Sequence, residues 1–123
     1  MKQLVESRFK GTFRSYKIFR SNGDVILHTA DDYQEWDLGE NNILTISQYQ
    51  KHRKTVLCHT DQWVITFEKK RYFITIQQPP MRLEIISINH TGLVIENSMR
   101  REKIFFAPFP AWENLVKNRL HIL

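Results

Sequence analysis

Residues 61–76, Asp61-Gln-Trp-Val-Ile-Thr-Phe-Glu-Lys-Lys-Arg-Tyr-Phe-Ile-Thr-Ile76, read as a β-hairpin. Trp63, Ile65 and Phe67 alternate with Val64, Thr66 and Glu68. After a charged turn, Tyr72, Ile74 and Ile76 alternate with Phe73 and Thr75. A tight loop at Lys69-Lys70 sets Phe67 opposite Tyr72, Ile65 opposite Ile74 and Trp63 opposite Ile76, so all six share one face. A face that apolar needs a covering surface, and most of the remaining chain reads as further strands.

Working outward, turns recur about every ten residues, the spacing of an all-β meander, sandwich or barrel. Toward the N-terminus the expected strands are 55–59, 43–49, 33–38, 25–28 and 9–19. The last of these, 9–19, carries a bend or bulge near Ser15, because Phe13 and Tyr16 fall on opposite faces. Asn22-Gly23 accepts positive φ at both central turn positions, which predicts a hairpin there. Toward the C-terminus, Gln77-Gln-Pro-Pro80 stops the ladder, since proline has no N–H to donate. Strands follow at 82–88, 93–96 and 103–107. The tail changes period: Trp112, Leu115, Val116 and Leu120 form one helical stripe, with Pro110 suited to a first turn, which predicts a helix over about 110–119.

A single domain spanning residues 1–123 is expected, long enough to bury one core. About eight strands joined by hairpins without crossover helices leave two exposed edges, and closure removes them. The expected fold is therefore an all-β, antiparallel up-and-down barrel with a C-terminal helix. A barrel of that size holds side chains and one small ligand.

Hydrophobic residues make up 41% and charged residues 25%, an ordinary globular balance. The net charge is +5, but the 18 Lys and Arg are dispersed, with short clusters at Lys51–Lys54, Lys69–Arg71 and Arg100–Lys103 where turns are expected. Solvated strand ends account for them better than a nucleic-acid surface does. The single cysteine, Cys58, rules out an internal disulfide and fits a reducing compartment. The N-terminal residues lack the apolar run of a signal peptide and no stretch is long enough to span a bilayer, so a cytoplasmic location is expected, although a removed export signal would leave the same sequence.

Catalytic patterns are missing. The five histidines form no paired or cysteine-linked set, so neither a metal site nor a cofactor is expected. Cys58 and His59, adjacent on a strand, point to opposite faces and make a poor nucleophile–base pair. No phosphate loop or Gly-x-Ser-x-Gly element is present. The expectation is a protein that is not an enzyme.

With the meander in place, the chain resembles a lipocalin-like barrel of the calycin type. Gly11-Thr-Phe13 stands where that family carries Gly-x-Trp on its first strand, with Phe13 in place of the Trp. Arg100 or Arg101 is the candidate for the arginine that the family packs across that aromatic. The rhythm of Trp36-Asp-Leu38, Leu44-Thr-Ile46, Trp63-Val-Ile65 and Ile74-Thr-Ile76 is similar to compact bacterial lipocalin-like domains, as is the final helix. The Thr-Asp-Tyr element of typical lipocalins is missing, as are their disulfides. The resemblance implies non-enzymatic binding of a small hydrophobic or amphipathic molecule in the barrel interior.

The ligand-binding candidates are Trp36, Tyr49, Trp63, Phe67 and Tyr72, with Arg71 or Arg53 at the mouth for an anionic head group. The plain alternative for each aromatic is a dry core. Two rival readings stand beside this one. A pleckstrin-homology-type module for anionic lipid or a protein partner predicts two packed sheets with one end closed by the helix. Single-stranded nucleic-acid binding would use Tyr49, Tyr72 and Phe73.

Overall fold

The fold was taken from a computed structural model, which describes residues 10–117. Ten strands are formed: β1 (Gly11–Arg20), β2 (Val25–Leu27), β3 (Asp32–Leu38), β4 (Leu44–Gln50), β5 (Arg53–Thr60), β6 (Trp63–Glu68), β7 (Arg71–Ile76), β8 (Met81–Asn89), β9 (Gly92–Asn97) and β10 (Glu102–Pro108). One helix, α1 (Ala111–Val116), follows. Phe9 at the expected start of the first strand, residues 118–119 of the expected helix and Leu120 of its stripe lie outside the described residues.

The hairpin at 61–76 forms in the expected register. Trp63 pairs with Ile76, Ile65 with Ile74 and Phe67 with Tyr72. Lys69 and Lys70 both take positive φ, 51° and 64°, the geometry a two-residue hairpin turn needs to match strand twist. Lys51 and His52, at φ 48° and 71°, make the same turn between β4 and β5.

All strands join one antiparallel sheet in the order β5-β4-β3-β1-β10-β9-β8-β7-β6, with β2 also paired to β1. The first and last long strands meet, as expected of a curled meander, through a ladder running from Phe13–Pro108 to Arg20–Glu102. Among the described residues the expected closure nevertheless fails at one place, because no ladder joins β5 to β6. The sheet is an open half-barrel. Asp61-Gln62 is the whole link between these strands, and neither residue is at positive φ; the His90-Thr91 link has none either, yet β8 and β9 pair across it. Contacts that cross this corner include the Trp63 Nε1–H donating to the Asn42 carbonyl at 2.7 Å and the Cys58 thiol meeting the Gln78 carbonyl at 3.7 Å.

Three bulges shape the curl. The expected one lies in β1 between Ser15 and Lys17. It divides the strand, whose first part pairs with β3 and whose second part pairs with β2. The others fall after Ile46 and after Ile85. Each skips one residue and strengthens the local twist. Gly92, at the start of β9, sits so close to β10 that a Cβ there would run into the carbonyl oxygen of Phe106.

The two faces of the sheet bury different sets. The inner face carries the main core, in which Leu44, Ile65, Ile74, Leu93, Ile95 and Phe106 are essentially solvent-free. Each such side chain contributes roughly 1.5–3 kcal/mol by leaving water. The outer face carries a second cluster of Tyr33, Ala107, Trp112 and Val116, with Tyr16 and Tyr49 against it. Here α1 docks. Six residues are too few for a helix to stand alone. Trp112 anchors it by donating its Nε1–H to the Ser15 carbonyl at 2.8 Å and packing on the Tyr33 ring at 4.6 Å. The Arg14 guanidinium lies over three rings, Tyr33, Phe109 and Trp112, while bonded to Glu35 at 2.9 Å. Leu115, expected in the buried stripe, is 44% exposed, because only one edge of the short helix faces the sheet. A single sheet with the helix on its outer face is not the two-sheet, helix-closed arrangement that the pleckstrin-homology reading predicts. Among the described residues no helix is long and apolar enough to cross a membrane.

Candidate functional site

The sequence-predicted ligand residues do not converge. Trp36, Trp63, Phe67 and Tyr72 share the inner face, but in different surroundings. Trp36 is 2% exposed, set edge-on to Phe106 with 5.6 Å between ring centres, and its indole N–H donates to Gln34 Oε1 at 2.7 Å. It is a packed core residue. Trp63 is held at the β5–β6 corner by its bond to Asn42. Phe67 and Tyr72 pack on each other at 4.8 Å, with Phe67 56% exposed at the far end of the hairpin. Tyr49 is on the other face, stacked on Tyr33 at 4.8 Å and 12°. Arg71 also faces outward, 3.8 Å from Glu84, because it pairs with Glu68 on the opposite side of the strand from Tyr72. Phe73 lies on that outer side too, with the Arg82 guanidinium 3.9 Å from its ring centre. The mouth candidate Arg53 is exposed at the start of β5.

The family arginine is not formed by Arg100 or Arg101. These residues precede Glu102, which pairs with Arg20, whereas Phe13 pairs with Pro108 at the other end of the ladder. Seven residues of strand, about 23 Å, separate the two ends.

A different group of side chains comes together where β1, β9 and β10 end. They line a cleft of about 550 Å³. Phe19 and Phe105 form its apolar wall, their ring centres 6.0 Å apart. Arg20, Arg101 and Lys103 bring three cations, and Glu96 and Glu102 two carboxylates. Glu102 is only 8% exposed and already committed, at 3.7 Å from Arg20 and 4.0 Å from Arg100. The Ser21 N–H donates to the Arg101 carbonyl at 3.0 Å, tying the β1–β2 turn to the β9–β10 turn. Just outside, the Lys17 ammonium sits 4.6 Å from the Phe105 ring centre and 5.4 Å from that of Phe19.

No family model, curated protein or solved structure matches this chain. The site therefore rests on its own geometry.

Two further polar features are better explained by structure. Ser15 Oγ lies 2.6 Å from His28 Nδ1 and accepts the Gln34 N–H at 2.8 Å. Ser15 is fully buried, so the pair pins the end of β2 to the β1–β3 junction and has no access to a substrate. A smaller cleft of about 300 Å³ at the β5–β6 corner is lined by polar groups, among them His59, Asp61 and Gln62. His59 Nδ1 is bonded to Thr45 Oγ1 at 2.9 Å. Among the described residues no three His, Cys, Asp or Glu side chains gather to hold a metal ion. Burial pushes the Cys58 thiol and the Tyr33 phenol above their ordinary values; for Tyr33 the charge of Arg14 opposes this, and Glu35 and Tyr49 add to it.

Sequence reading missed the cleft because its walls come from β1 and from the β9–β10 hairpin, which lie far apart in the chain. The one available signal was the alternation Lys17-Ile-Phe19 and Lys103-Ile-Phe105, which places a cation and a ring on the same strand face twice.

Proposed function

We propose that this chain is a lipocalin-like binding protein without catalytic activity, and that it takes a small amphipathic anion in the cleft at the β1–β9–β10 rim. The observation that carries this reading is the composition of that cleft. Two aromatic rings can hold a hydrocarbon segment while Arg20, Arg101 and Lys103 meet an anionic head group. Its volume of about 550 Å³ lies within the roughly 300–1,000 Å³ typical of small-molecule sites. The interior, where a closed barrel would carry its ligand, is occupied by the buried apolar residues of the main core. Burying about 200 Å² of ligand hydrocarbon gives roughly 5 kcal/mol before association costs. Weak binding, in the micromolar to millimolar range, follows.

Calorimetric titration with dodecanoate and with dodecanol tests the reading. The carboxylate should bind about tenfold more tightly than the alcohol. Arg101→Ala should abolish that preference, and Phe105→Ala should weaken both ligands. Equal binding of the two, or loss of binding in Tyr72→Ala with none in Phe105→Ala, would move the ligand to the inner face and overturn the rim assignment.

A further inference from the structure

The outer face of β2, β1 and β10 shows a pattern that the cleft does not explain. Antiparallel register lines up Val25, Phe19 and Lys103 in one row across the three strands, and Leu27, Lys17 and Phe105 in the next. Val25, Leu27 and Phe19 are 47%, 55% and 41% exposed. Three large apolar groups thus stand in water beside two ammonium groups, on the face opposite the main core. Charge on and around the patch is mainly positive: Lys17 and Lys103 within it, Arg20 and Arg101 at its end. The carboxylates that face it are Glu96, beside Lys103 in the neighbouring strand, and Asp24 in the β1–β2 turn, bonded to Asn22 at 3.0 Å.

We propose that this face docks on an anionic lipid surface. Lysines flanking exposed hydrocarbon suit a membrane interface, where the ammonium groups meet anionic head groups and the apolar side chains enter the acyl boundary. The charge pattern selects this occupant over a second copy of the chain, because a two-fold contact would gather the Lys17 and Lys103 ammonium groups of both copies, four like charges, into one interface. Half-exposed Val25 and Leu27 select hydrocarbon over nucleobases, which stack on rings and gain little from aliphatic groups. The inference does not rest on occupancy of the cleft, since Val25 and Leu27 lie outside its lining.

Co-sedimentation of the full chain with phosphatidylcholine vesicles, with and without 30% phosphatidylglycerol, tests it. Binding should need the anionic lipid and fall steeply between about 0.1 and 0.5 M salt. At about fivefold per positive charge removed, the Lys17→Glu/Lys103→Glu variant should bind at least tenfold more weakly. Val25→Ser/Leu27→Ser should lose a similar factor, while Val56→Ser/Leu57→Ser, equally exposed on β5, should bind like the parent. Leu27→Trp gives a gain of signal that does not depend on loss: its fluorescence should shift to the blue on adding anionic vesicles. Equal binding to both vesicle types, no binding by the parent, an unshifted Leu27→Trp, or a charge-dependent affinity for single-stranded oligonucleotide without vesicle binding would each overturn the proposal.

Discussion

The sheet comes near closure at two places, and they behave in opposite ways. β1 and β10 lie at opposite ends of the described chain, yet they share a long ladder. β5 and β6 are separated by two residues, yet no ladder joins them. Nearness in sequence does not produce a strand pair. Two-residue links fold back at Lys51-His52 and Lys69-Lys70 with both residues in the left-handed region, and at His90-Thr91 with neither. Asp61-Gln62 also has neither, and its strands lie at opposite ends of the sheet order. At β1–β10 the partners are held from both sides, by Phe106 in the main core and by Trp112 clasped over Ser15.

Truncating one side chain at each place gives the largest contrast. Phe106→Ala should cost about 3–5 kcal/mol in urea denaturation, since a fully buried ring leaves a cavity. Leu57→Ala on β5, half-exposed at the bulge, should cost under about 0.5 kcal/mol. Similar losses would mean that the β5 edge is covered in solution.

Placing Asn-Gly in two links sharpens the comparison. Lys69→Asn/Lys70→Gly should raise stability by about 1 kcal/mol, because lysine in the left-handed region is strained and Asn-Gly is not. Asp61→Asn/Gln62→Gly should lower it by about 0.5–1 kcal/mol, since the glycine adds freedom to the unfolded chain and relieves nothing. A gain at both links would show that 61–62 also reverses.

The smallest effect is alkaline. The folded protein holds the Tyr33 and Cys58 protons more tightly than the unfolded chain does, because both pKa values are raised. Their contribution is intact below the unfolded values, roughly pH 8.5 for the thiol and 10 for the phenol, and is lost as pH rises through the folded ones. Melting temperature should therefore decline above about pH 9. Tyr33→Phe, on the β1–β10 side, should flatten the decline above pH 10. An unchanged slope would mean that Tyr33 keeps no excess hold on its proton.

Much of the fold was legible because alternation reports strand faces directly. Trp63 to Ile76 gave a register that the structure reproduces pair by pair, and Phe13 against Tyr16 marked a real bulge. The missing β5–β6 pair was not legible: Asp-Gln between two strands looks the same whether the chain reverses or runs on. Less of the candidate site was legible. Aromatic character pointed to Trp36 and Tyr49; one is a core ring and the other stacks on Tyr33 in the outer cluster. Strand face alone could not tell a packed ring from an accessible one. The rim cleft needed the knowledge that residues 19 and 103 are neighbours, which comes only from the long-range ladder.

The sheet order has a mechanical consequence. Eight successive antiparallel steps lead from β5 to β6, so the two free edges point the same way. Curling more tightly would bring them together as a parallel couple, which requires a crossover of a dozen or more residues, and only two are present. The slot cannot zip shut as a ladder. The sheet is built as an open clip, its spine at β1–β10 and its jaws tied at one corner by the indole of Trp63.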